Sequence, residues 1–98
     1  MWQPYDGRKT INTKGSENGR IIKDEEHSNG ARITLEKDGH TPFAITCGIY
    51  GLMAHTVFAS SHVDAMGVYQ AMKEEIALFL LTENLDDAEW CSEFVNRF

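Results

Sequence analysis

From Phe43 to Ala59 apolar and small side chains alternate, and from Ala65 to Leu80 they recur at three- and four-residue spacing. The first period is that of a strand and the second that of a helix, so the chain predicts a β-hairpin running into a long amphipathic helix. With Tyr50-Gly51 as a two-residue turn, Ile49 faces Leu52, Cys47 faces Ala54, Ile45 faces Thr56 and Phe43 faces Phe58. That register gathers the large apolar groups on one side of the ribbon. Ala44, Thr46, Gly48, Met53, His55, Val57 and Ala59 fall on the other, a face too apolar for water alone.

Ala31 to Glu36 also alternates like a half-buried strand. A three-residue loop, Asp38-Gly39-His40, sets Leu35 opposite Phe43 and Ile33 opposite Ile45, which keeps a single core. Ser28-Asn29-Gly30 is a turn signal, preceded by a strand over Gly19 to Glu26 whose acidic end suits a sheet edge.

Ser61 is placed to cap the helix, with Asp64 three residues on, and Ala65, Val68, Tyr69, Met72, Ile76, Phe79 and Leu80 form its apolar stripe. The end of that helix, Ile76 to Leu81, is apolar nearly all round and calls for cover from a second helix or another subunit. Asp86 caps the second helix, whose stripe is Trp90, Cys91, Phe94, Val95 and Phe98, and the link Thr82 to Leu85 suits an antiparallel pair. The expected class is α+β, a four-stranded antiparallel meander followed by two α-helices, ββββαα.

Composition adds limits. The 98 residues, 42% hydrophobic, suit one domain of modest core. Residues 1–18 lack apolar period and read as a flexible basic arm, with 19–98 as the domain. Residues 1–23 carry a net +3 and the remainder −9. The arm is therefore either solvated or docked on an acidic body, its own or a neighbour's. No transmembrane-length apolar run and no signal-peptide core occur, so the expected compartment is cytoplasmic and no membrane partner is expected. Cys47 and Cys91 both lie on inward faces, as buried free thiols.

Candidate chemistry narrows further. Ser60-Ser61-His62 with Asp64 holds the residue types of a hydrolytic triad, but side chains this close at a helix entrance diverge and serve as caps. His27, His40, His55 and His62 are scattered without metal-ligand spacing, so no metal or cofactor is expected. The carboxylates of Asp24-Glu25-Glu26 and of Glu83, Asp86, Asp87, Glu89 and Glu93 read as solvated surface or a docking patch for a basic protein. The acidity of the folded part disfavours nucleic acid. No catalytic signature is present, and an enzyme working through His55 or a carboxylate is the least supported class.

This layout, an acidic hairpin-then-helices domain without a catalytic signature, resembles the integron cassette proteins of mobile gene cassettes. Phe43-Ala44-Ile45 and the run from Val63 to Leu80 are similar in pattern to the sheet-then-helix core of HicB-type antitoxins, although the glycine-cysteine turn usual before that helix is absent. Neither resemblance carries an active site over, and the excess of apolar surface that one layer of helices would leave exposed points to an interaction module. The leading expectation is thus a non-enzymatic homodimeric protein-interaction module, antitoxin- or immunity-like. Its candidate interface is Ala44, Thr46, Met53, His55, Val57, Leu78 and Leu81. The alternative is a small-molecule binder with a pocket between hairpin and helices, lined by Tyr50, Met53, Tyr69 and Trp90.

Overall fold

The computed structural model describes residues 1–82 and 85–98, so the expected helix link through Glu83 and Asn84 lies outside the described residues. Strands β1 (Trp2–Pro4), β2 (Arg20–His27), β3 (Ala31–Lys37), β4 (Phe43–Ile49) and β5 (Met53–Ala59) form one antiparallel meander in that spatial order. Helices α1 (His62–Leu81) and α2 (Asp87–Arg97) follow. The class is α+β, with five strands where four were expected.

The additional strand comes from residues 1–18, the segment read from the sequence as a basic arm. Trp2 lies opposite His27 and meets its ring edge-on at 5.2 Å. The Tyr5 ring lies 3.7 Å from the Arg32 guanidinium, and the Thr10 hydroxyl donates to Asp24 at 2.7 Å. Further along, the amides of Glu17 and Gly19 donate to Glu36 at 3.0 and 2.9 Å. A three-residue strand has no readable period, and single side chains spread over a polar segment carry this docking. β2 is consequently an inner strand, not the sheet edge.

The hairpin register also differs. Ile49 pairs with Met53, Cys47 with His55, Ile45 with Val57 and Phe43 with Ala59. Gly51 has φ 75° and the Leu52 amide donates to the Ile49 carbonyl at 2.9 Å, a turn with its left-handed residue in third place. A two-residue hairpin favours turns whose twist matches the strands, and the type I′ form needs positive φ at both central positions, which Tyr50 does not adopt. The chain inserts Leu52 before pairing resumes, and this one-residue slip flips every β5 side chain to the other face. Between β3 and β4 the predicted faces hold, but the pairing is displaced by two: Leu35 lies opposite Ile45, Ile33 opposite Cys47 and Lys37 opposite Phe43.

One sheet face, with Ala31, Ile33, Leu35, Ile45, Cys47 and Ile49, packs against Ala65, Tyr69, Met72, Ile76 and Phe79 of α1 and Phe94 of α2. Burying each of the larger side chains contributes about 1.5–3 kcal/mol before chain entropy is charged. Ser61 caps α1 by accepting from the Asp64 amide at 3.1 Å, and Asp86 caps α2 by accepting from the Glu89 amide at 2.9 Å. Each satisfies a donor that the first helical turn leaves open. Val68 and Leu80, expected in the α1 stripe, pack at the core margin.

α2 lies on α1 through an aromatic stack. Trp90 sits 4.2 Å from Phe79 and 4.9 Å from Phe94, with Phe98 continuing the row at 4.8 Å from Phe94. This supplies part of the cover that the apolar end of α1 requires. Leu78 and Leu81 remain 64% and 67% exposed.

Candidate functional site

The register change decides which expected site residues meet. Ala44 and Thr46 lie on the sheet face away from the helices, whereas Met53, His55 and Val57 turn toward the helix-covered face, where Met53 and Val57 pack on the core. His55 meets Phe94 edge-on at 6.3 Å. Leu78 and Leu81 stand at the end of α1, so the seven expected interface residues do not form one surface. Cys47 and His55, expected on opposite faces, are direct cross-strand neighbours.

The four expected pocket residues are likewise dispersed. Tyr50 is exposed in the β4–β5 turn and donates to Glu26 at 2.5 Å. Burial of the hydroxyl and that carboxylate push its pKa up to about 12. Tyr69 is buried under the sheet and donates to Glu25 at 2.6 Å, which with burial raises its pKa strongly. Trp90 belongs to the aromatic stack, and Met53 pairs with Ile49. A cleft of about 360 Å³ does include Tyr50, but on the open sheet face, with Lys14, Ser16, Thr34 and Thr46 among its lining.

That open face is more polar than expected. Asp24, fully buried, receives two Arg32 hydrogen bonds at 2.9 and 2.6 Å besides that from Thr10. The arm thus docks on its own sheet, yet through hydroxyl, amide and aromatic contacts. Arg8, Lys9 and Lys14 make no ion pair among the described residues. β5 brings Ala54 and Phe58 to this face, both exposed, Phe58 at 53%.

The two edges of the sheet contrast. On one side, β1 has three residues, ends in Pro4 and covers only the C-terminal part of β2. On the other, β5 runs seven residues, Met-Ala-His-Thr-Val-Phe-Ala, with no Asp, Glu, Lys, Arg or Pro, and pairs with β4 alone. Short strands, proline and charge are the usual protection of a sheet edge, and β5 has none of them.

Under the helix side, Glu25 accepts from Tyr69 and from Lys73, the latter at 2.9 and 3.0 Å. Burial pushes its pKa up, but those hydrogen bonds and the charges of Lys73 and Lys23 outweigh burial and hold it below the ordinary carboxylate value. Burial raises the Cys47 thiol to about 12, so it stays protonated and unreactive at neutral pH. Cys91 is half-buried and raised by burial and then by Asp87. Among the described residues no three His, Cys, Asp or Glu side chains gather as metal ligands, and no helix is long and apolar enough to cross a membrane.

What sequence reasoning missed is the pairing partner of each polar residue on β2 and β3. Arg32 and Glu36 alternate with core residues while Asp24 sits in a charged run, and nothing local signalled that residues 5–19 would cover them. No protein-family model, curated protein or solved structure matches the chain.

Proposed function

We propose that the protein is a non-enzymatic association module whose β5 edge pairs with the β5 edge of a second copy. The observation that carries this reading is the asymmetry of the sheet: one edge is blunted by a short proline-ended strand and the other is long, uncharged and open. An antiparallel pairing of two β5 strands centred on Thr56 is two-fold symmetric and joins both sheets into one. It also sets Ala54 of one copy beside Phe58 of the other on the open face, covering an exposed aromatic ring.

The acidity of the chain beyond residue 23, net −9, supports a partner-directed version of this reading. In that version the dimer engages a basic protein, as an antitoxin- or immunity-type module does. Co-purification of a stoichiometric basic protein is what it expects.

The test is the mass in solution at tens of micromolar, with Ala54→Lys/Phe58→Lys as the variant. Both side chains are exposed, so the fold is expected to persist, while the paired edge acquires facing like charges. The wild-type chain is expected to sediment as a dimer and the variant as a monomer. A wild-type monomer, or a variant dimer of equal strength, would overturn the reading.

A further inference from the structure

The blunted edge of the sheet is incompletely covered. β1 pairs with Glu25 to His27, and residues 12–14 pair with Arg20 and Ile21. Neither covers the stretch from Ile22 to Asp24, where the β2–β3 register shifts by a bulge. At that interruption lies a cleft of about 330 Å³, bounded by Pro4, Arg8 and Ile11 of the first segment, Ile22 and Lys23 of β2, and Lys73 of α1.

Three of the nine basic residues of this acidic chain meet there. Two carboxylates also line the cleft, but both are engaged: Asp24 by Arg32 and Thr10, Glu25 by Tyr69 and Lys73. Arg8 and Lys23 are left without an ion-pair or hydrogen-bonded side-chain partner among the described residues. Pro4, Ile11 and Ile22 add apolar wall beside these two cations.

The backbone that presents Arg8 is unusual. Asp6, Gly7 and Arg8 have φ of 47°, 59° and 70°, three consecutive residues in the left-handed region, two of them not glycine. Such residues cost conformational energy and persist where the surrounding structure holds them, and bulges likewise redirect side chains. Here the strained segment and the bulge border one opening whose lining includes a guanidinium and an ammonium.

We propose that this cleft is a binding site for a small phosphorylated molecule. The guanidinium offers paired N–H donors to two phosphate oxygens, the lysine offers a mobile point charge to the third, and the apolar wall takes the group that bears the phosphate. The site lies at the opposite edge from β5, so it does not depend on dimerisation.

Phenyl phosphate, inorganic phosphate and benzoate are the probes, followed by amide chemical shifts and melting temperature at fixed ionic strength. Arg8→Gln/Lys23→Gln removes the two exposed cations that no carboxylate pairs directly, Lys23 acting on Glu25 only at longer range, and its circular dichroism reports that the fold is kept. Phenyl phosphate is expected to shift the amides of Ile11, Ile22 and Lys23, more tightly than phosphate and benzoate, with at least a tenfold loss of affinity in the variant. The proposal is overturned if the variant binds equally, if benzoate binds as well as phenyl phosphate, if the shifts map to the open-face cleft of Lys14 and Tyr50, or if no probe binds.

Discussion

Single polar contacts tie the first 19 residues to the sheet beside the packing of Trp2 on the core. Arg32 neutralises a carboxylate with no access to water, so Arg32→Met leaves Asp24 buried with only the Thr10 hydroxyl. A loss of about 3 kcal/mol is expected from denaturant unfolding, because an uncompensated buried charge costs more than the pair contributes. Gly39 is a second such position. A Cβ there would collide with the Glu17 carbonyl and the Gly19 amide, the backbone that caps Glu36. Gly39→Ala is therefore expected to cost about 2 kcal/mol by overpacking, with exchange of the residue 15–19 amides rising most.

Titration follows from the same contacts. Burial and then the N-terminal charge hold the His27 pKa below its ordinary 6.5. The unfolded chain then takes that proton first, and stability falls as pH drops below 6.5. Glu25 acts in a lower window: its stabilisation is complete above 4.5 and is lost as pH falls through its lowered folded value. The melting temperature is thus expected to decline in two stages on acidification. His27→Gln should flatten the first and Tyr69→Phe should weaken the second.

At the scale of elements, legibility tracked the length of the repeating pattern. Over twenty residues, α1 could be read from its spacing and its Ser61 cap, and five of the seven stripe positions are buried. β3 and β4 kept their faces because Ile33, Leu35, Ile45 and Cys47 leave one solution to the parity problem. β5 did not, since Met53, His55 and Val57 are no more polar than Ala54, Thr56 and Phe58. Only turn geometry distinguishes the two registers, and Tyr50 decides it by staying out of the left-handed region. β1 was too short to read at all. The candidate site suffered with β5: the expected interface mixed residues from both faces. α2 depends on its stack, so Trp90→Ala, which removes two ring contacts, is expected to cost about 2 kcal/mol. The exposed Arg97–Glu75 pair adds little, and Arg97→Ala should cost less than about 0.5 kcal/mol.

For the whole molecule, the two sheet edges define two different surfaces. The β1–β2 edge is closed by a polar segment and interrupted by one cationic cleft, while the β5 edge presents open backbone beside an exposed Phe58. The residues beyond position 23 carry a net −9, yet β5 carries no charged side chain. In the proposed dimer that edge lets two copies meet without repulsion between facing side chains. Residues remote from β5, including those of the cationic cleft, should be indifferent to that meeting.

Amide hydrogen exchange along Met53–Ala59, followed as a function of protein concentration, tests the pairing of β5 edges most directly. A paired edge protects the outward amides of β5 as concentration rises through the dimer range, and leaves the amides of β1 unchanged. Outward β5 amides that exchange at the rate of open backbone at every concentration would contradict it.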